Sequence, residues 1–254
     1  MTMPLSTDKL LVVDYSELFY VALFTARNVS FQDKTGYKLP FEFFLLRKLS
    51  VLTKAFPGRK LILTGDGRQS WRKQLYPDYK CGRKKFRESY EDIDWTDLYQ
   101  RYDELLGRID VMTPIDTYRD EYLEADDIIA VLAQSGADVI AVTSDKDMNQ
   151  LYIYPNFKQV SPRSPKLQLK DIKNPKAELQ KLIDKGDEAD NIPAAKTDSQ
   201  RLINKKLVDL TDLPEVVVKR VTSVLNQRTE KKFDFDQFMD LYRYKFLGEF
   251  LKSL

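Results

Sequence analysis

Aspartate residues end three apolar runs of the chain, and an acidic cluster lies just before the third run. The runs lead into Asp14, Asp66 and Asp145, and the cluster is 124–127, with the sequence Glu-Ala-Asp-Asp. Short, continuously apolar runs of this kind predict strands that are buried on both faces of a parallel sheet. Because ligands bind outside the carboxyl ends of the strands in open α/β sheets, the three aspartates are expected to meet at one edge. Crowded carboxylates repel one another unless a cation lies between them, so the pattern predicts a metal site.

The composition narrows the choice of metal. The 254-residue chain contains no histidine and a single cysteine, Cys81. This excludes the usual zinc sites, histidine general bases, Ser-His-Asp triads and a disulfide within the chain. Oxygen ligands alone favour hard cations, and Mg²⁺ or Mn²⁺ suits the pattern better than Ca²⁺ because no EF-hand spacing is present.

The length suits one large α/β domain, or one domain with a small appendage. The net charge of +2 does not by itself indicate nucleic acid as a partner. No apolar stretch approaches ~20 residues, and the N-terminus lacks the apolar region of a signal peptide. We therefore expect a cytosolic protein without a membrane span.

A basic segment, 68–87, directly follows the second strand end. It holds eight basic residues and one acid, a local net charge of +7, together with Trp71, Tyr76 and Tyr79. Basic residues interleaved with aromatic ones are typical of channels for single-stranded nucleic acid, in which charges meet phosphates and rings meet bases. A solvated basic loop is the alternative interpretation. The basic residues are Arg68, Arg72, Lys73, Lys80, Arg83, Lys84, Lys85 and Arg87.

Apolar periodicity over the rest of the chain predicts mostly helices. The predicted helices are 16–27, 40–55, 96–107, 124–134, 176–185, 198–208, 214–227 and 235–252, and another begins at 146–151. A short strand is predicted at 109–112. Residues 152–160 are predicted to pair as short strands that are interrupted at Pro155 and Asn156.

The acids of the 124–127 cluster lie in the first turn of a predicted helix. Acids at a helix start ordinarily complement its dipole and cap its free N–H groups. Three acids in four residues, leading into an otherwise apolar helix, exceed what capping needs. Asp145 and Asp147 add two carboxylates where a strand turns into a helix, and Asp187 and Asp190 form another pair in a polar turn.

Together these segments resemble the 5′-nuclease family, which includes flap endonucleases, the 5′-exonuclease domains of bacterial DNA polymerases and phage 5′-exonucleases. The acids that match the family's order and approximate spacing are Asp14, Asp66, Glu124, Asp126, Asp127, Asp145, Asp147, Asp187 and Asp190. The segment Tyr79-Lys80-x-x-Arg83 is similar to the family's signature at the base of a helical arch. The similarity covers most of residues 8–193, is strongest to phage members with ribonuclease H activity, and thins out beyond residue 193.

The resemblance implies a PIN-like α/β core with a mostly parallel central sheet flanked by helices, a helical arch at about 72–95, and a helical C-terminal part. The core would be 1–185, and 186–254 would be a helical region that binds duplex. The implied activity is that of a 5′-3′ exonuclease and flap endonuclease that removes RNA primers and adjacent DNA during replication. The implied substrates are DNA and RNA–DNA duplexes with 5′ ends or flaps, and the protein would act as a monomer, in the host cytoplasm if it is phage-encoded.

The resemblance also implies roles for individual residues. Two Mg²⁺ ions are expected, and Mn²⁺ is expected to replace them. The first ion would be held by Asp14, Asp66, Asp126, Asp127 and Asp145, with Glu124 acting mostly through water, and the second by Asp147, Asp187 and Asp190. Lys80 and Arg83 would steady the scissile phosphate. Tyr79 would either stack on the terminal base or be a packed aromatic. The expected contacts to nucleic-acid phosphates are Arg68, Arg72, Lys73, Lys84, Lys85 and Lys196.

The chain departs from the family pattern after Pro193, where a glycine-rich turn normally binds duplex phosphates through backbone amides. Residues 194–199 contain no glycine. Side-chain charge on Lys196, Lys205 and Lys206 is therefore expected to replace the amide contacts.

Three other protein classes compete with the nuclease interpretation. They are a non-catalytic nucleic-acid-binding protein of the replisome, a PIN-type ribonuclease toxin, and a phosphoryl-accepting receiver domain. The intact acids argue against the first class, because unused carboxylate clusters are electrostatically costly. Toxins of the second class are usually shorter and lack both the Asp187 and Asp190 pair and a long basic arch, and nine acids are too many for a receiver domain. The apolar stripe at 246–254 is expected to dock on the chain's own core, and a sliding clamp or single-strand-binding protein is the alternative partner for it.

Overall fold

Five parallel strands form the centre of the molecule in a computed structural model that describes residues 8–28, 40–227, 231 and 233–254. The strands are Lys9–Asp14 (β1), Lys60–Gly65 (β2), Asp116–Arg119 (β3), Asp138–Val142 (β4) and Phe157–Val160 (β5). Their order across the sheet is β3-β2-β1-β4-β5, and every neighbouring pair is parallel. The predicted α/β fold with a mostly parallel sheet is therefore confirmed.

Helices surround the sheet in the described part of the chain. The α-helices are Tyr15–Asn28 (α1), Phe41–Ala55 (α2), Trp71–Leu75 (α3), Arg83–Glu88 (α4), Trp95–Met112 (α5), Ala125–Gln134 (α6), Pro175–Lys185 (α7), Asp198–Val208 (α8), Glu215–Asn226 (α9), Phe235–Tyr242 (α10) and Leu247–Lys252 (α11). A 3₁₀ helix covers Asp147–Ile153. Within the described ranges, none of these helices combines the length and the apolar character that crossing a membrane requires.

The sheet separates two apolar cores. Because successive side chains of a strand point to opposite faces, Leu11 and Val13 of β1 lie in one core and Leu10 and Val12 in the other. The first core is shared with α1, α2, α5, α10 and α11. The second is shared with α6 and α9. Helices on both faces explain why the strands have continuously apolar sequences rather than alternating ones.

The C-terminal apolar stripe docks on the chain's own core, as predicted. Leu247, Phe250 and Leu251 are at most 3% exposed and belong to the core that contains α1 and α2. The single helix predicted over 235–252 is instead two, because Arg243 takes a left-handed conformation with φ of +49° and ends α10. Phe238 of α10, before this turn, and the three residues of α11, after it, lie in the same core.

The structure corrects two strand predictions. Residues 109–112 are the end of α5, in which Ile109 is buried together with Leu105 and Leu106 at helical spacing. The strand that follows is β3. Of residues 152–160, only β5 is a strand. It pairs in parallel with β4, and its last residue, Val160, also forms an isolated antiparallel bridge with Leu169, while Tyr152 and Ile153 end the 3₁₀ helix.

Three strands end at the same edge of the sheet. Asp14 is the last residue of β1 and lies in register with Thr64 of β2, and Val13 pairs with Val142 at the end of β4. The residues that follow β2 and β4 therefore leave the sheet beside Asp14. This register brings the predicted carboxylates together.

Candidate active site

The strand ends open into a large cavity of about 1530 Å³. Its wall combines α1, α2, the basic segment, the start of the 3₁₀ helix and the turn at 186–190. The predicted metal ligands that line it are Asp14, Asp66, Asp126, Asp145, Asp147, Asp187 and Asp190. Lys80 and Arg83 line it as well, so the two predicted cations and seven of the nine predicted acids share one space.

Backbone N–H groups hold the three strand-end carboxylates in place. The bonds run from Glu17 N–H to Asp14 Oδ1 (2.9 Å), from Ala125 N–H to Asp66 Oδ1 (3.0 Å) and from Asp147 N–H to Asp145 Oδ1 (2.8 Å). Each donor lies at or near the first turn of a helix, where N–H groups lack partners within the helix. The helix starts therefore orient the acids.

Partial burial and mutual repulsion raise the pKa of several cavity acids. Burial raises the pKa of Asp14, and the nearby charge of Asp66 raises it further. The same two effects act on Asp126 and on Asp147, for both of which Asp145 is the strongest charged neighbour. A cation among these carboxylates would relieve the repulsion, and a set of oxygen donors suits a hard divalent ion.

The acids surround the cavity rather than form a closed cage. Over the described ranges, no three Asp, Glu or Cys side chains are grouped as a ready-made metal site. A metal ion at this edge would require the carboxylates to draw together around it. The predicted metal site therefore stays a prediction.

Glu124 is held by the basic segment and does not line the cavity. Its carboxylate accepts hydrogen bonds from Arg72 Nη1 (2.9 Å) and Lys80 Nζ (2.6 Å), and the Tyr79 hydroxyl lies 2.9 Å away. Burial opposes ionisation of Glu124, but the charges of Lys80 and Arg72 outweigh it and lower the pKa of Glu124 to about 2. Glu124 is thus a buried anion whose partners are cations of the basic segment.

Asp127 is turned away from the cavity, which contradicts its predicted place among the ligands of the first metal. Its side chain is fully buried, with Oδ1 2.9 Å from Arg72 Nη2. Its Oδ2 accepts hydrogen bonds from Trp71 Nε1 (3.1 Å) and from the backbone N–H of Glu124 (2.9 Å). The last bond is half of the capping box that begins α6. Capping and ion pairing account for this acid.

Arg72 is also buried, which contradicts the prediction that it contacts phosphates. Its side chain is 3% exposed and is held by Glu124 and Asp127. Its Nε donates to the carbonyl oxygen of Leu207 at the end of α8, at 2.8 Å. With the guanidinium engaged on three sides, Arg72 joins the basic segment to α6 and α8 instead of facing solvent.

A close approach of two backbones brings Arg72 to this position. The segment after β2 runs beside 120–123, and Gly67 N–H donates to the carbonyl of Leu123 at 2.7 Å. A Cβ at Gly67 would lie 2.2 Å from the carbonyl oxygen of Asp120, so only glycine allows the approach. Trp71 N–H then bonds to Tyr122 O, and α3 begins against the start of α6.

Tyr79 is a packed aromatic in this structure, the second of its two predicted roles. Its ring is 4% exposed and lies in a small core with Ile183, Ile192 and Leu207. Its hydroxyl lies 2.9 Å from Glu124 Oε2 and 3.0 Å from Asp190 Oδ2. A phenol donates a single proton, so the two carboxylates share it.

Lys80 and Arg83 join the base of the predicted arch to the turn at 186–190. The Nζ of Lys80 lies 3.5 Å from Asp190 Oδ2, and Arg83 Nη2 lies 3.0 Å from Asp190 Oδ1. The backbone N–H of Lys80 donates to Asp190 O at 2.9 Å. Burial disfavours the charged form of Lys80, but Glu124 and Asp190 outweigh it and raise its pKa. Lys80 is therefore a cation fixed among carboxylates.

The remaining predicted nucleic-acid contacts lie on the surface, outside the cavity wall. Lys73, Lys84, Lys85 and Lys196 are exposed. Arg68 is exposed too, but it forms an ion pair with Asp103 at 3.0 Å. The predicted arch contains α3, α4 and the loop that leads to α5.

Aromatic side chains of the arch pack against α1. The ring of Phe24 lies 6.3 Å from that of Phe86 and 5.2 Å from that of Tyr90, between ring centroids. Phe24, Phe86 and Glu17 line the cavity and were not among the predicted site residues. No sequence signal pointed to Glu17, because the side chain that it contacts, Thr143, lies 126 residues away.

Comparisons with known proteins identify the family and the fold of the chain. A family model described as the N-terminal resolvase-like domain of 5′-3′ exonuclease matches residues 9–185. Ribonuclease H of Enterobacteria phage T4 is 30% identical over 233 residues, which cover 87% of this chain and 73% of that protein.

Two solved structures from phage T5 share the fold. The T5 5′-exonuclease with bound divalent metal ions (zinc) has a TM-score of 0.57 at 19% identity, covering 96% of this chain and 97% of that one. The T5 flap endonuclease in a pseudo-enzyme–product complex with DNA and metal ions has a TM-score of 0.55 at 17% identity, covering 96% and 93%. The predicted PIN-like core is thereby confirmed.

Replacing Asp126 by asparagine should stabilise the metal-free protein. The raised pKa of Asp126 means that the folded state binds more protons than the unfolded state between the ordinary and the raised value. Stability from this group is therefore lost as the pH rises through that window. Without the Asp126 carboxylate, the melting temperature in chelator should be higher at neutral pH, by about 2–4 °C for each kcal/mol of unfolding free energy gained. The melting temperature should also fall less as the pH rises.

Thermal unfolding in chelator between about pH 5 and pH 8 measures this effect. Asp236→Asn, which makes the same change at an exposed position on α10, is the matched control. A melting temperature of Asp126→Asn below that of the parent across the range would contradict the assignment of repulsion to this cavity.

Proposed function

Because the chain belongs to the 5′-3′ exonuclease family, we propose that it is a metal-dependent 5′-3′ exonuclease and flap endonuclease that hydrolyses phosphodiesters at 5′ ends. The observation that carries the proposal is the meeting of seven carboxylates with Lys80 and Arg83 in one cavity. Its task would be to remove RNA primers and adjacent DNA during replication. A non-catalytic replisome protein is not favoured, because such a protein has no use for this concentration of charge.

Mg²⁺ is the proposed cofactor, bound as two ions, with Mn²⁺ as the expected substitute. The donor set supports a hard cation, since the chain has no histidine and its lone cysteine, Cys81, does not line the cavity. The first ion would be held by Asp14, Asp66, Asp126 and Asp145, and the second by Asp147, Asp187 and Asp190. When bound, such ions supply an activated water and stabilise charge at the phosphorus and at the leaving oxygen.

Lys80 and Arg83 are proposed to contact the scissile phosphate. Both line the cavity, and Lys80 remains protonated because its carboxylate partners raise its pKa. A cation that is already fixed by ion pairs needs little reorganisation when negative charge develops beside it. Glu124 and Asp190 would orient these cations before the substrate arrives.

DNA and RNA–DNA duplexes with 5′ ends or flaps are the proposed substrates. The exposed lysines of the arch, Lys73, Lys84 and Lys85, would bind backbone phosphates and add affinity without reading sequence. Beyond the turn at 186–190, Lys196 and Lys206 are exposed and would grip the duplex by side-chain charge. The role of 186–254 as the duplex-binding region, acting in a cytoplasmic monomer, is part of the proposal.

A sliding clamp or single-strand-binding protein would have to contact a surface other than the C-terminal stripe. The apolar side chains Leu247, Phe250 and Leu251 are buried in the core. Releasing them would cost about 1.5–3 kcal/mol for each side chain.

Asp145→Ala should abolish cleavage while the protein stays folded. Asp145 is exposed in the cavity wall, so its loss removes a proposed metal ligand without opening the core. The assay is Mg²⁺-dependent cleavage of 5′-labelled flap, nicked and RNA–DNA duplexes, with chelator added to the parent and Asp236→Asn as the folded control. Near-parental turnover by Asp145→Ala would show that the metal assignment is wrong.

Lys80→Ala should lower the turnover number far more than it weakens DNA binding, because Lys80 lies within the cavity. Lys84→Ala, on the exposed face of α4, should instead weaken binding modestly and reduce its logarithmic salt dependence by about 0.9 for one lost phosphate contact. Single-turnover cleavage and salt-dependent binding of the same flap measure the two effects. Equal losses of affinity in both variants, with turnover unchanged, would reduce Lys80 to one more surface charge.

A further inference from the structure

The turn that carries Asp145 and Asp147 is fastened by side chains from two other elements. It leaves β4 at Thr143, whose side chain is fully buried. Four backbone polar groups of this turn are bonded by side chains: the carbonyl of Thr143, the N–H of Ser144, and the N–H and carbonyl of Asp145.

Glu17 of α1 accepts hydrogen bonds from this turn. Its Oε2 accepts the Thr143 hydroxyl proton at 2.8 Å and the Ser144 N–H at 2.6 Å. The Thr143 oxygen in turn accepts the N–H of Asp145 at 3.1 Å. A single carboxylate oxygen on α1 is thus connected through one hydroxyl to the backbone of Asp145.

Gln159 of β5 donates hydrogen bonds to the carbonyl groups of the same turn. Its Nε2 donates to the carbonyl oxygens of Thr143, at 2.9 Å, and of Asp145, at 2.6 Å. The side chain of Gln159 is fully buried, so its direction is fixed by packing. The turn is therefore bonded on both sides by groups that have little freedom to move.

Glu17 also belongs to the other side of the cavity. Its backbone N–H is the donor that orients Asp14 Oδ1, at 2.9 Å. One residue therefore connects two carboxylates that come from neighbouring strands: Asp14 through its backbone and Asp145 through its side chain. The side chain of Glu17 is 13% exposed, and its carboxylate forms an ion pair with the exposed Arg163 at 3.3 Å.

We propose that Glu17 is a positioning residue, which sets the spacing of Asp14 and Asp145 through the hydroxyl of Thr143 and so tunes the affinity of the cavity for a divalent cation. The inference rests on the proposed function of the cavity as a metal site. Residues that orient metal ligands typically change metal affinity by about 10- to 100-fold when they are replaced. Glu17 contacts the turn and not the substrate, so its effect appears in metal affinity before it appears in the chemical step.

Two pairs of variants separate positioning from packing. Glu17→Met removes both carboxylate oxygens at similar length, whereas Glu17→Gln removes the charge but keeps one oxygen that can accept both bonds. Thr143→Val removes the hydroxyl at nearly constant shape, whereas Thr143→Ser keeps the hydroxyl and removes a buried methyl group. In each pair one member keeps the hydrogen bond and the other does not.

The test uses three measurements on each protein. Mn²⁺ affinity is measured by titration with Mn²⁺ alone, with the electron paramagnetic resonance signal of the free ion as the readout. Thermal unfolding in chelator gives the stability, and the rate of flap cleavage is measured as a function of Mg²⁺ concentration. We expect Glu17→Met and Thr143→Val to weaken Mn²⁺ binding by about 10- to 100-fold and to need more Mg²⁺ for half-maximal cleavage, with most of the rate recovered at saturating metal. Glu17→Gln and Thr143→Ser should bind Mn²⁺ nearly as the parent does, although Thr143→Ser should melt at a lower temperature.

Mn²⁺ affinities that follow the melting temperature across the four variants would overturn the proposal, because the turn would then be held by packing alone. Unchanged affinity in Glu17→Met would overturn it as well. A parent protein that cleaves and binds Mn²⁺ normally keeps the proposed function intact in either case. A parent that binds no Mn²⁺ would refute the metal-dependent function and this inference with it.

Discussion

Repulsion among carboxylates at one edge of the sheet determines how the basic segment and the neighbouring helices are arranged. The parallel register brings Asp14, Asp66 and the turn with Asp145 to the same place. Partly buried carboxylates at close range cannot all ionise without a counter-charge. The basic segment provides it, because Lys80 lies between Glu124 and Asp190 and Arg83 pairs with Asp190. The proposed cations would complete this neutralisation.

The same charges decide how the basic segment is attached. Arg72 is buried between Glu124 and Asp127 and reaches the carbonyl of Leu207, so one guanidinium joins α3, α6 and the end of α8. Removing one partner of a buried ion pair typically costs about 3–5 kcal/mol, because the other charge is left uncompensated. The base of the arch is therefore strongly attached, whereas α4 has no buried residue and touches α1 through its aromatic side chain. A strongly attached base would hold Lys80 in place, and a weakly attached α4 would still allow a substrate to enter the cavity.

The sequence was sufficient to predict what depends on strand direction. Asp14 and Asp66 lie close together because buried parallel strands end at a common edge. This can be predicted without knowing which side chains contact them. Asp127 could not be predicted in the same way, since capping, ion pairing and metal binding use the same carboxylate, and its partner Arg72 lies 55 residues away in the sequence. The apolar run at 109–112 was too short to distinguish a strand from a helix end. Glu17 was missed because its role depends on Thr143, which is 126 residues away.

Lys80 neutralises Glu124, the buried acid beside the cavity, and a double-mutant cycle between these two residues measures that interaction. The free energy of unfolding in chelator would be measured by denaturant titration for the parent, Lys80→Met, Glu124→Gln and the double variant. We expect a favourable coupling of about 1–3 kcal/mol, with the double variant more stable than the sum of the single losses indicates. A coupling within about 0.5 kcal/mol of zero would contradict the claim, because the two charges would then contribute to stability independently.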